Sequence, residues 1–137
     1  MENKSQPIVG VVSLALSLLL VVGILSFAGP CGAHDDGSVS SCFWAGRALL
    51  GIGAVSMVLS LVRVFERDEG ERRGLSLAIA CLGVLVACVP GTLIDLCVSQ
   101  AMRCHAIMQP FAMGVGIALL LVGGIDLTRR LLKLRHA

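Results

Sequence analysis

The chain has 137 residues, 56% of them apolar and 15% charged, with a net charge of +2 and a mean hydropathy of +0.91. A soluble domain of this size has too much surface to cover with so few charges, so much of the apolar surface must face lipid. With no Tyr, one Trp and four Phe, the chain lacks the aromatic platforms that stack nucleic-acid bases, and no nucleic-acid partner is expected.

Four apolar runs are long enough to cross a bilayer core of about 30 Å as helix. They cover residues 8–28, 43–63, 74–94 and 106–126. The second is interrupted by Arg47 near one end, and the other three carry no charge before Asp126 at the end of the fourth. Each run must be helical, because backbone groups in lipid have to satisfy one another within the segment. The predicted fold is all-α: a single membrane domain over residues 1–137, built as a four-helix bundle from two tandem helical hairpins. Loops 29–42, 65–73 and 95–105 are short, which forces consecutive helices to lie antiparallel and adjacent. Pro90 removes a backbone donor from the third run and predicts a kink there.

Orientation follows from the basic residues. Nine of the eleven Lys and Arg fall on one side: Lys4, Arg63, Arg67, Arg72, Arg73, Arg129, Arg130, Lys133 and Arg135. Only Arg47 and Arg103 fall on the other. The expected localisation is the cell membrane, with several spans, both termini and loop 65–73 in the cytoplasm, and loops 29–42 and 95–105 outside. Residues 128–136 (TRRLLKLRH) read as a stop-transfer anchor, with a path along anionic head groups as the alternative. Ser26-Phe27-Ala28 resembles a signal-peptide cleavage site, but the apolar run before it is longer than a usual signal core, so the first span is expected to stay.

The two halves repeat one plan: a span, a Cys at its outer end, a short polar loop, a second Cys and a returning span. Ala48-Leu49-Leu50-Gly51-Ile52-Gly53 approximates Ala112-Met113-Gly114-Val115-Gly116 in the two returning spans. Both G-x-G pairs lie inside apolar runs and read as helix packing, not as phosphate loops. Gly10, Ser13 and Ser17 share one helical face, and Gly83 with Ala87 and Ala112 with Gly116 are four apart. Small residues so spaced let helix backbones approach closely in lipid.

Four cysteines, Cys31, Cys42, Cys97 and Cys104, are disulfide candidates in the outer loops. Four cysteines allow three pairings. The bracketing pairs Cys31–Cys42 and Cys97–Cys104 are the simplest, and cross-pairs would clamp the two hairpins together. Thiols near His34, Asp35, Asp36, Met102 and His105 are weak candidates for a soft or borderline metal, since the spacing matches no metal knuckle. Redox exchange is a further reading, although it usually relies on a closely spaced pair. Cys81 and Cys88 share one face of the third run and read as small buried packing residues. Arg47, Asp95 and Arg103 are charges at the outer interface, with either arginine a partner for Asp95. Asp126, beside Arg129 and Arg130, plays the same part on the inner side.

The segments Gly29-Pro30-Cys31, Asp35-Asp36-Gly37-Ser38 and Cys42-Phe43-Trp44-Ala45, followed by Gly51-Ile52-Gly53, resemble the first half of a family of small membrane proteins. Leu93-Ile94-Asp95-Leu96-Cys97, Met102-Arg103-Cys104-His105 and Pro110 resemble its second half. That family consists of four-span bacterial and archaeal proteins classed as a domain of unknown function. The resemblance covers nearly the whole chain, and the four loop cysteines are its most specific element. The family often has Met-x-Cys-His in its first loop, where this chain reads Ser40-Ser41-Cys42-Phe43, which weakens a metal site in the first hairpin. The resemblance implies a membrane location and four helices, implies no known activity, and points to export-type ABC transporters as companions.

No Ser-His-Asp set and no paired carboxylates facing a pocket stand out, and Asp35-Asp36-Gly37-Ser38 reads as a turn. No enzymatic activity and no cofactor are therefore expected. The expected role is a non-enzymatic accessory or structural subunit with disulfide-stabilised outer loops. Its partners would be the lipid bilayer and either further copies of itself or a membrane transporter. The alternative is extracytoplasmic thiol-redox or metal handling. A small transporter or channel is a third reading, which would need oligomers to build a pore.

Overall fold

The computed structural model describes residues 5–29, 37, 40–96 and 104–137. The chain is all-α, with four helices: α1 Ser5–Ser26, α2 Ser41–Phe65, α3 Glu69–Cys88 and α4 Gln109–Arg135. No strand forms among the described residues, and Pro90 and Ile94 make an isolated bridge. The helices run up, down, up and down. Gly10 near the start of α1 faces Val64 near the end of α2, and Gly83 of α3 faces Gly116 and Leu120 of α4. The tightest pairings are α3 with α4 and α1 with α2, with looser contacts of α1 on α4 and α2 on α3, so the molecule is two hairpins closed into a bundle.

The two hairpins pack by different means. A Cβ placed on Gly83 would stand 2.6 Å from the Leu120 nitrogen and 2.7 Å from the Gly116 oxygen. One on Gly116 would stand 2.6 Å from both the Ala87 nitrogen and the Gly83 oxygen, and one on Gly123 2.7 Å from the Ser76 oxygen. Helices α3 and α4 thus cross backbone on backbone. In the first hairpin the obstacles are side chains: Val64 Cγ2 lies 2.8 Å from a Cβ on Gly10, and Val21 Cγ2 2.9 Å from one on Gly53. Of the two G-x-G pairs, only Gly53 and Gly116 pack in this way, while Gly51 and Gly114 have open space around them. Ser13 and Ser17 are fully buried on the face they share with Gly10.

The third run departs from its expected bounds. Helix α3 begins inside the expected loop 65–73 and ends at Cys88, well short of residue 94. Its start is set by Asp68, whose Oδ1 accepts the N–H groups of Gly70 at 2.7 Å and Glu71 at 3.4 Å, leaving only residues 66–68 between α2 and α3. Its end is set by Pro90, which stops the helix where a kink was expected. Gly91 follows at φ +90°, and Leu93 and Ile94 donate back to the carbonyls of Cys88 and Val89 at 3.0 and 3.1 Å. Pro110 acts differently. Lacking an N–H, it cannot bond to the carbonyl four residues back, and a π-helical turn, Cys104–Met108, widens the chain ahead of α4. The expected basic tail simply continues α4 to Arg135.

Three helical segments, Pro7–Ser26, Ser41–Phe65 and Cys104–Arg135, are long and apolar enough to cross a membrane. Helix α3 is not among them. Its apolar part, 74–88, reaches only ~22 Å at helical rise, against a hydrocarbon core of about 30 Å.

Candidate functional site

The polar centre of the molecule lies where α2 and α4 end and α3 begins. Arg63, in the last turn of α2, is 3% exposed. Its Nη1 donates to the Arg72 carbonyl at 2.9 Å and to Ser76 Oγ, and its Nη2 donates to Asp126 Oδ2 at 2.7 Å. Ser76 is completely buried, and its hydroxyl lies 2.8 Å from both the Arg72 carbonyl and Asp126 Oδ2. One turn beyond Asp126, Arg130 donates through Nε to the same Oδ2 at 2.7 Å and through Nη1 to Glu69 Oε2. Two arginines and two carboxylates cancel: Arg63, Asp126 and Arg130 are buried, and the exposed Glu69 balances the second arginine from the rim.

Asp126 was expected as an interfacial anchor beside Arg129 and Arg130. Its position is different: it is the acceptor on which the two hairpins meet, with Arg63 coming from the first and Ser76, Arg130 and Glu69 from the second. In the sequence Arg63 stands out only as one of the basic residues on the expected inner side. A faint signal was available. Asp126 interrupts an apolar run and Arg63 interrupts another at the same end, and an acid in such a place needs a cation. Nothing in the sequence selects Arg63 over its neighbours.

A row of serines approaches this cluster from inside the bundle. Ser13 and Ser17 of α1 donate to backbone carbonyls of their own helix, at 3.0 Å to Gly10 and 2.8 Å to Ser13. Ser56 and Ser60 of α2 are 1% and 0% exposed, and their hydroxyls find no partner among the described residues.

The other end carries the cysteines. Cys42 and Cys104 are fully buried, at the starts of α2 and of the turn into α4, and both belong to the apolar core with Ala28, Ala45 and Met108. His105 Nδ1 lies 3.1 Å from Gln109 Oε1. Cys31, His34, Asp35, Asp36, Cys97, Met102 and Arg103 lie outside the described residues, so both disulfide pairings and the metal candidates His34 and Met102 do too. Arg47 is exposed with its guanidinium carbon 5.5 Å from the centre of the Phe43 ring, and Asp95 is exposed. The burial expected of Cys81 does not hold, since it is exposed, while Cys88 is half-buried. Ser76, Ala80, Gly83 and Ala87 occupy the face of α3 that meets α4, and Cys81 stands on the far side of that helix.

A family model described as a domain of unknown function, DUF4418, matches residues 13–129. The chain belongs to the DUF4418 family. No curated protein and no solved structure matches it. The DUF4418 segment contains Arg63, Ser76 and Asp126 and stops one residue short of Arg130. The charged centre therefore lies almost wholly within the family domain.

Proposed function

We propose that this DUF4418 protein crosses the membrane four times, with both termini and turn 66–68 in the cytoplasm, and serves as a non-enzymatic accessory or structural subunit. The observation that carries the reading is the separation of surfaces. The bodies of all four helices expose large apolar side chains, among them Leu18, Leu25, Val58, Leu77, Val84 and Leu121, while the ion pairs gather at one end. An apolar surface of that extent is stable against lipid or protein and not against water. Helix α3 is included because it pairs with α4 from Ser76 to Ala87, which supports a shared depth for the two helices. Residues 89–94, folded back on its end, cap it with further apolar side chains.

Membrane fractionation tests the first half of this reading. The protein is expected in the carbonate-resistant membrane fraction, with tags on both ends shielded from protease in intact cells. Tags on opposite faces would leave three spans and end the four-span reading. For the subunit role, extraction in mild detergent is expected to recover a homo-oligomer or a transporter partner. A lone monomer under several conditions would count against it.

The second reading is extracytoplasmic thiol-redox or metal handling. It is supported by Cys42 and Cys104 sharing the core at one end of the bundle, with His105 adjacent. Thiol alkylation of intact cells, with and without reductant, separates the two. Cysteines that are oxidised, resist mild reduction and bind no metal support structural disulfides and exclude the second reading.

A further inference from the structure

We propose that the cytoplasmic end of the bundle holds one anionic glycerophospholipid in a lateral cleft between α1, α4 and the start of α3. The inference rests on the membrane reading above. The cleft has a volume of about 680 Å³. Ile8 and Val12 of α1 and Val122 and Ile125 of α4 form an apolar wall, and Arg73, Arg129, Arg130 and Lys133 stand at the cleft with Glu69 and Asp126. Helix α1 meets α4 through Gly23 and Phe27 against Phe111, far from this end, so the cleft lies where the two helices are not held together by that contact.

The charges decide the chemistry. Glu69 and Asp126 are taken by Arg130 and Arg63. No ion pair among the described residues engages Arg73, Arg129 or Lys133. Arg73 is half-buried, and its Nε is buried with no hydrogen-bond partner among the described residues. Three uncompensated cations above an apolar slot at the membrane boundary complement a ligand with a phosphate at one end and a hydrocarbon chain at the other. A soluble phosphate would use the cations and leave the slot empty. A zwitterionic lipid would fill the slot but carry a cation of its own into the basic rim. An anionic phospholipid of the inner leaflet satisfies both, with its phosphate on Arg73, Arg129 and Lys133 and an acyl chain along Val12 and Ile125.

The test is native mass spectrometry of the full chain, reconstituted in nanodiscs of phosphatidylglycerol or of phosphatidylcholine and released into detergent. Wild-type protein is expected to retain one phosphatidylglycerol, and to retain phosphatidylcholine at least tenfold less. Retention is expected to fall roughly fivefold for each cation removed in Arg73→Gln, Arg129→Gln and Lys133→Gln. Arg135→Gln, which removes a charge outside the cleft, should change nothing. Val12→Trp fills the slot without touching a charge and should also expel the lipid, which guards against a charge variant that fails to fold. Equal retention of both lipids, or no loss in either class of variant, overturns the proposal. Displacement of the bound species by millimolar inorganic phosphate overturns it in favour of a free-anion site. Failure of the protein to enter the membrane fraction overturns the membrane reading itself, and is seen before any lipid is measured.

Discussion

The two hairpins of this DUF4418 protein share one plan and differ in what holds each together. In α3–α4, glycines bring backbone against backbone, and no side chain can give way. In α1–α2, glycines receive the tips of Val64 and Val21, and buried serines lie among them. In the proposed membrane setting lipid supplies no hydrophobic drive between helices, so association depends on close packing and polar contacts. The second hairpin relies on the first of these means. The first hairpin has softer packing, and at the charged end the Arg63 side chain reaches across to Ser76 and Asp126 of the second.

Breaking that tie should give the largest effect. Asp126→Ala leaves Arg63 and Arg130 buried without their shared acceptor, and breaking a buried pair from one side costs about 3–5 kcal/mol. Arg63→Met should cost less, because Asp126 keeps Arg130 and Ser76. The double variant Arg63→Met/Asp126→Leu should recover most of the loss. Unfolding in mixed micelles with rising SDS measures all three. Equal losses in the two single variants would show that Asp126 is not the shared acceptor.

The next test applies one substitution to both hairpins. Alanine at Gly83 or Gly116 places a methyl against backbone atoms that cannot move, for a loss of about 2–3 kcal/mol. Alanine at Gly53 meets side-chain atoms, Val21 Cγ2 at 2.9 Å and Leu20 Cδ2 at 3.4 Å, which can shift by a few tenths of an ångström as backbone cannot, and alanine gains about 1 kcal/mol over glycine within a helix. Gly53→Ala should therefore stay within about 1 kcal/mol of wild type. Similar losses in both hairpins would erase the distinction drawn between them.

Serines sharpen the comparison at a smaller scale. Ser76 in the second hairpin accepts from Arg63 and reaches Asp126, so Ser76→Ala should cost about 1–3 kcal/mol. Ser56 and Ser60 in the first hairpin find no partner among the described residues, and their alanine variants should be neutral or more stable by up to about 1 kcal/mol. A clear loss at Ser56 or Ser60 would mean that each hydroxyl is bonded in the membrane to a group such as ordered water.

What could be read from the sequence was whatever depends on local composition. The all-α class, the apolar runs and the pairing into hairpins follow from length, hydropathy and short loops. Reading failed where one backbone atom decides. The missing N–H of Pro90 ends α3, and the same lack at Pro110 only widens a turn that α4 then continues. Hydropathy treats both prolines alike. The small-residue faces of α3 and α4 were visible, but their mutual contact depends on rotation about each helix axis, which composition does not specify. The charged centre was least legible. Arg63 and Asp126 are far apart in sequence, and only the antiparallel order brings them to one end.

The smallest effect belongs to the turn that joins the hairpins. Glu66 accepts the N–H groups of Arg67 at 2.9 Å and Asp68 at 3.1 Å, and the bond to Asp68 above all holds its carboxyl below the usual range. Glu71 is pushed up by its hydrogen bond to the Glu66 carboxylate and then by the like charge there. The signs oppose. Glu66 favours the fold above its unfolded pKa and loses that contribution as pH falls through its lowered folded value. Glu71 favours the fold below its unfolded pKa and loses that contribution as pH rises through its raised one. In Glu71→Gln the amide donates to Glu66 at every pH, so the variant should gain on wild type as pH climbs through the carboxylate range and fall level with it in acid. Glu71 is exposed and Glu66 is open to solvent in part, so the gain should be slight and should fade with added salt. A variant level with wild type at every pH would show that the two side chains do not interact.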